Sequence, residues 1–430
     1  MTRVRLGLVA TVFVAAALAA TTLLPWSGTA DAYDHLDYVV QVHDGNLPAA
    51  VGHEWKPEGH PGSERSPESR QFASAHPPLF YAIGALLAGP LLDSVDWQSG
   101  VLAMRLLNVA FGLAGLAGLA WIGWGIGGRH RHRWVVGLPL LGGLVFPYLR
   151  FSTEPYNDIP LTAASVLSIA ICIHMLRFGP HWWSGFGLTT LAVLGMGFKS
   201  TFVLTLMGIC LVLAVVMYRH VSGGWLRRAG IAALVSAMPV IASGLAWGWF
   251  YLRNLELSGY WYRSVPKTAV NNRSDKSLLD NLSNSEFYLV VPEGLIGRGS
   301  EVTAVINAGL STGIFAALLL LTVIALLVAR IKHGRLRDGW ILLIGAALLL
   351  HLLGSYVLQL SHATGFGAFN ARYFLPSIAA TACLLVAGLL RGRYWWLALG
   401  GAAALLLAAN LVSMIAYTTG RGDRELSITR

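Results

Sequence analysis

The residues able to do chemistry in this chain are carboxylates placed at the ends of hydrophobic runs. An apolar N-terminal stretch ends at about Trp26 and is followed by Asp31-Ala-Tyr-Asp34-His35-Leu-Asp37-Tyr38. Much later, Glu154-Pro-Tyr-Asn157-Asp158 stands between two apolar runs. The chain has only 21 Asp and Glu, and a charge beside hydrocarbon is costly, so these groups mark a candidate site. Cations share the same kind of position: Arg105, Arg150, Lys199, Arg253 and Arg372, together with His35, His76, Asn157, Asn254 and Asn370. A positioned carboxylate can take a proton from a hydroxyl. A Lys or Arg at a membrane surface can hold a phosphate. The two together suggest transfer of a group from a lipid phosphate.

The elements that must position these groups are membrane helices. Hydrophobic residues make up 55% of the chain and charged residues 12%, far from the balance of a soluble domain. The apolar runs are continuous rather than alternating, which excludes a β-barrel. Run length predicts about eleven spans, at 6–26, 100–126, 135–151, 159–177, 185–199, 200–218, 229–251, 303–330, 339–358, 372–390 and 394–417. The expected fold is an all-α polytopic membrane protein with a large first extracytoplasmic loop. The break at Lys199 is the least marked, because 185–218 also reads as one long run.

The net charge of +10 is a topology signal and not a sign of nucleic-acid binding. Arg129, Arg131 and Arg133 form one basic loop; Arg219, Arg227 and Arg228 form another. Arg330, Lys332, Arg335 and Arg337 form a third, and Arg391 with Arg393 a fourth. Placing these and the N-terminus in the cytoplasm turns 27–99, 151–158, the Lys199 turn, 252–302, 359–371 and the C-terminal tail outward. The first span is expected to be an uncleaved anchor, since cleavage near Thr29-Ala30-Asp31-Ala32 would part the acidic motif from its helix. Within 27–99, the apolar run 78–92 is short for a span and suits an interfacial or re-entrant helix. Residues 260–300 are polar and read as a loop or lid. The expected division is a catalytic transmembrane module over 1–252, which includes the outer loop 27–99, an extracytoplasmic loop over 253–302, and C-terminal transmembrane helices over 303–430.

Plainer readings compete at each position. Asp37 and Asp44 are expected to be solvated caps. Arg105 and Arg150 are expected to snorkel to the interface. His76-Pro77-Pro78 can end one helix and start another. His174 and His351 are expected to serve helix packing. Lys199 resists such a reading, because it lies mid-run among apolar residues. Cys172, Cys210 and Cys383 all lie inside apolar runs and imply no disulfide framework.

These motifs, in this order, resemble the GT-C class of membrane glycosyltransferases. The resemblance rests on Asp31-x-x-x-His35, His76-Pro77-Pro78-Leu79, Asn157-Asp158, Gly195-Met-Gly-Phe-Lys199-Ser200, Trp249-x-x-x-Arg253-Asn254 and Arg372-Tyr373-x-x-Pro376. It is strongest over 1–255 and points to the branch holding protein O-mannosyltransferases and lipid A aminoarabinose transferases. It implies an enzyme of a bacterial plasma membrane that moves a hexose or pentose from a polyprenyl-phosphate donor to a hydroxyl on a glycan, lipid or protein acceptor. The active site would face outward, and the transfer would invert the anomeric centre. It further implies that Asp31 is the catalytic base, that Lys199 holds the lipid phosphate, that Asp158 is the second acidic motif, and that Arg372-Tyr373 is the late Arg-Tyr motif. The chain departs from the pattern at Ala32, where the family usually has Glu; Asp34, one turn on, is expected to share the catalytic role. Substrate contacts are expected from His35, His76, Glu154, Asn157, Asp158, Lys199, Arg253, Arg372 and Tyr373. Asp31, Asp34, Glu154 and Asp158 offer oxygen ligands to a divalent cation, yet the resemblance implies no required cofactor. No Walker loop or Gly-rich nucleotide fingerprint is present, which favours a lipid donor over a nucleotide sugar. A membrane glycan polymerase or ligase would use a late outer loop instead of Asp31. A transporter would show internal repeats and broken helices.

Overall fold

The computed structural model describes residues 2–24, 26, 31–48, 51–57, 71–262, 277–284, 351, 353–357, 360, 371–390 and 394–418. The expected span 303–330 and most of 339–358 lie outside the described residues, as do most of the 260–300 stretch and Asn370. The described chain is helical. Its helices are α1 (Thr2–Leu23), α2 (Ala32–His43), α3 (Leu79–Leu92), α4 (Trp97–Ile126), α5 (Arg131–Leu144), α6 (Phe146–Phe151), α7 (Asp158–Phe178), α8 (Trp182–Phe198), α9 (Val203–His220), α10 (Trp225–Ser258), α11 (Leu278–Ser283), α12 (Ile378–Leu389) and α13 (Trp395–Thr418). Among the described residues, six segments are long and apolar enough to cross a bilayer. The protein is a polytopic integral membrane protein; the figure of eleven spans is not reproduced by these six.

Two apolar cores flank a central pair, α4 and α7. One core gathers α2, α3, α8 and α9 through residues such as Tyr38, Phe80, Leu188 and Leu206. The other gathers α1, α5, α12 and α13 through Phe13, Leu138, Ile378 and Leu399. Helices α4 and α7 contribute to both. On α7, Ile159 packs in the second core and Leu161 in the first. Asp158 therefore opens α7 at the seam between them.

Two departures from the expected spans, and the expected break at Lys199, shape the site. The run 135–151 is not one helix: it breaks at Val145, whose backbone is extended (φ −62°, ψ 124°), and restarts as the short α6 with a proline in its first turn. The run 372–390 starts with a 3₁₀ stretch, Ala371–Ser377, which contains Pro376, before α12. Helices α8 and α9 are separated, because Lys199 is extended (φ −162°, ψ 140°) and a 3₁₀ turn, Ser200–Phe202, leads into α9. The first loop also carries structure the apolar count missed. Amphipathic α2 is too short to span and packs on α3, and α3 packs on α4. A 3₁₀ turn, Phe72–Ala75, ends at His76, and α3 begins after Pro78. His76-Pro77-Pro78 thus does punctuate two helices.

Candidate active site

Four chain segments end at one place. Asp31 precedes α2, Asp158 opens α7, Lys199 ends α8, and Arg372 lies in the 3₁₀ stretch before α12. Their side chains form a continuous ionic row. Lys199 Nζ donates to Asp158 Oδ1 at 2.6 Å; Arg372 donates to Asp31 Oδ2 at 2.6 Å and brings Nε to 3.9 Å from Asp158 Oδ2. Exposure rises along the row. The Lys199 and Asp158 side chains are 1% exposed, Arg372 14% and Asp31 26%. Asp31 is the member of the row best able to meet a substrate. Two cations and two carboxylates cancel, which is what allows four charges to sit in so little water.

Electrostatics fix the states of the flanking groups. Burial raises the pKa of Asp31, but the Arg372 guanidinium outweighs it, helped by Lys199, and leaves the carboxyl below its ordinary value of 3.8. Asp31 is ionised at neutral pH and, while paired, a weak base. Burial holds His76 well below the ordinary imidazole value, with Lys199, His35 and Arg372 pushing the same way. His35 is lowered in the same fashion by burial, Arg372 and Lys199. Both rings are therefore neutral. They stack at 5.9 Å between centroids, and Tyr81 Oη bonds His35 Nδ1 at 2.8 Å. Tyr156 packs edge-on against His35 at 4.6 Å and lies under Arg372 at 5.3 Å. This aromatic stack fixes the guanidinium from below.

The scaffold beneath the row comes from α4. Arg105, buried, donates to the carbonyls of Thr153 at 2.5 Å and Leu24 at 3.1 Å. Asn108, one turn on, donates to the carbonyls of Tyr156 at 2.8 Å and Glu154. Arg105 is thus not a snorkelling residue: carbonyls of α1 and of the 152–156 turn supply the polar partners it needs in the interior. Asn157 caps the approach to Lys199 by donating to the Phe198 carbonyl at 2.9 Å. The glycines before Lys199 admit protein: a Cβ on Gly195 would meet the Phe202 ring at 2.3 Å, and one on Gly197 the Trp247 ring at 2.5 Å. Tyr251 and Trp247 of α10 also donate to the Met196 and Val193 carbonyls at 2.7 Å each.

Several expected site residues have other partners. Asp34 is turned away from the row: its carboxylate bonds His53 at 2.8 Å and the Phe72 amide at 3.2 Å, so it ties the first loop together. Glu154 pairs with Arg150 at 2.8 Å. Arg253 donates to the Pro48 carbonyl at 2.7 Å, and Asn254 to the Ala75 carbonyl at 3.1 Å, which fastens the end of α10 to the first loop beside His76. The backbone of Tyr373 belongs to the 3₁₀ stretch; its side chain is outside the described residues. Asp37 is not a solvated cap but fully buried. It accepts from the Glu54 and Trp55 amides at 2.8 Å each, from Gln41 at 2.7 Å and from Gln71 at 2.5 Å. From the sequence Asp37 reads only as a cap, and Gln71, Asn108 and Tyr156 carry no mark. Tyr156 lies inside the Glu154–Asp158 motif, and Arg105 with Asn108 forms an i, i+3 polar face on an apolar helix, which was the available signal. Among the described residues, no three His, Cys, Asp or Glu side chains are grouped to hold a metal ion.

No protein-family model matches the chain, and no curated protein matches it in sequence. Among solved structures it is similar to ArnT from Cupriavidus metallidurans in the apo state, with 13% identity over 96% of this chain and 76% of that one, at a TM-score of 0.50. The Archaeoglobus fulgidus oligosaccharyltransferase, solved with zinc and sulfate, overlaps at 13% identity and a TM-score of 0.45. The archaeal oligosaccharyltransferase AglB from the same organism, solved with an inhibitory peptide and a dolichol-phosphate, overlaps at 12% and 0.46. The chain spans about half the length of these last two, 52% and 55%, while 95% of it is covered by each. The likeness that carries weight is the one to ArnT, and at this identity it speaks to architecture alone: the chain shares the fold of that structure.

Proposed function

We propose that the protein is a glycosyltransferase that moves a sugar from a polyprenyl phosphate to an acceptor hydroxyl at the extracytoplasmic face of a bacterial membrane. The observation that carries this reading is the convergence of Asp31, Arg372, Asp158 and Lys199 from four separate segments into one ionic row. The donor phosphate would bind to Arg372 and Lys199, with Asp158 holding both cations in place. A phosphate on Arg372 takes the partner that now weakens Asp31. The freed carboxylate regains basicity and takes the proton of the acceptor hydroxyl. The hydroxyl oxygen bonds the anomeric carbon as the bond from that carbon to the phosphate oxygen breaks. The electron pair leaves on the phosphate, where the two cations stabilise it. One displacement inverts the anomeric centre. His35 and His76, being neutral, would contribute shape and hydrogen bonds. Residues 1–252 would carry the base and the Lys199 pocket, 253–302 would face the acceptor, and the 303–430 helices would supply Arg372. No step calls for a metal, and activity should persist in EDTA.

The test supplies protein-containing membranes with a panel of polyprenyl-phosphate hexoses and pentoses and measures release of polyprenyl phosphate. Asp31→Asn should lower release by about 10²-fold. Its affinity for polyprenyl phosphate should hold or rise, since Arg372 loses the Asp31 carboxylate that competes with the phosphate. Asp34→Asn should instead lower folded yield. An Asp31→Asn protein as active as wild type would remove Asp31 from the chemistry.

A further inference from the structure

A second polar set lies in the apolar interior, away from the ionic row. The residue at 351 and those at 353–357 are helical. His351 stands there with both ring nitrogens against hydroxyls: Nε2 is 3.2 Å from Thr205 Oγ1, and Nδ1 is 3.1 Å from Ser377 Oγ. Thr205 bonds Ser165 Oγ at 3.0 Å. Ser377 lies 2.9 Å from Ser355 Oγ, and Ser355 donates to the His351 carbonyl at 3.0 Å. Hydroxyls both give and accept, so a neutral imidazole is satisfied on both sides. Ser165, Thr205, Ser355 and Ser377 are all buried.

The elements so joined are the ones that carry the ionic row. Ser165 is two turns into α7, which Asp158 opens. Thr205 lies in the first turn of α9, just past Lys199. Ser377 is the last residue of the 3₁₀ stretch that holds Arg372. A 3₁₀ stretch is a weakly bonded element, so its register over α7 needs an outside constraint. We infer that His351 is a positioning residue: through Ser377 it fixes the Arg372 segment against α7 and α9, and so sets where the guanidinium meets a donor phosphate. This rests on the proposal that Arg372 binds that phosphate.

Four variants test it with undecaprenyl phosphate in detergent micelles as the probe, each also assayed for folded yield and thermal midpoint. Ser377→Ala keeps the backbone and removes one hydroxyl. It should weaken binding about three- to tenfold, the size of one lost hydrogen bond, with folding near wild type. His351→Phe should weaken binding at least as much, and His351→Gln, which keeps a donor and an acceptor, should recover part of the loss. In an Arg372→Ala background, where the probe is already bound more weakly, Ser377→Ala should add nothing, because its effect runs through the missing guanidinium. Equal losses from Ser377→Ala with and without Arg372 would overturn the inference, as would a Ser377→Ala protein of unchanged affinity. Should Arg372→Ala alone bind the probe as wild type does, the proposed phosphate site itself fails.

Discussion

At the scale of residues, the decisive feature is a pair of charges taken fully out of water. Lys199 and Asp158 are each 1% exposed. Such a pair stabilises little in net terms, but removing one partner strands the other and costs about 3–5 kcal/mol. Lys199→Ala should therefore destabilise the protein, and stability alone does not separate a structural role from a phosphate role. The separation comes from removing both charges. Lys199→Met with Asp158→Asn should be clearly more stable than Lys199→Met alone, since no charge is stranded. If Lys199 holds the phosphate, the double variant should still bind polyprenyl phosphate far more weakly than wild type. Thermal unfolding and lipid titration on the same samples decide it; wild-type affinity in the double variant would refute the phosphate role. Residue identity made much of this legible. A lysine amid apolar residues, and acids at helix ends, announce themselves by cost. Their partners do not. Nothing near Asp31 in the sequence specifies Arg372, 341 positions away. Asp34 and Asp31 look equivalent one turn apart until folding turns one toward the row and the other toward His53.

At the scale of elements, continuous apolar runs made the long helices readable, and breaks that depend on packing were harder to see. The Val145 kink leaves no clear mark in run length. The Lys199 break does, through its charge. Helix α2 was hidden because hydropathy counts spans and overlooks short amphipathic helices. What holds it is Asp37, which gathers four donors: the Glu54 and Trp55 amides, Gln41 and Gln71. Burial raises the Asp37 pKa despite those bonds. Replacing the carboxylate removes the acceptor of the buried Trp55 amide and of the neighbouring Glu54 amide. Asp37→Ala should cost about 2–4 kcal/mol and loosen the 51–57 segment, measured as a lower thermal midpoint and faster amide exchange there. Unchanged exchange across 51–57 would show that the loop is fixed by its aromatic contacts, Trp55 with Trp26, Tyr33 and Trp97, and not by Asp37.

At the scale of the whole molecule, two cores meet along α4 and α7, and the ionic row occupies their seam. A site assembled from segments spread over the chain is thereby held between two packed cores. Composition was enough to identify a polytopic helical membrane protein. Orientation rests on the basic loops. A cysteine introduced beside Arg131 should stay unlabelled by a membrane-impermeant maleimide in intact cells, and one at position 46 should label. The reverse pattern would invert the topology and place the row on the cytoplasmic side.

In the proposed reaction Arg372 and Lys199 are the phosphate-binding cations, and Asp31 is released when the phosphate arrives. An experimental structure of the protein with a bound polyprenyl phosphate tests it most directly. Phosphate oxygens should lie at about 2.7–2.9 Å from the Lys199 ammonium and the Arg372 guanidinium. The 2.6 Å contact between Arg372 and Asp31 should open while Asp158 keeps its place. A phosphate bound elsewhere, with the Arg372–Asp31 contact intact, would contradict it.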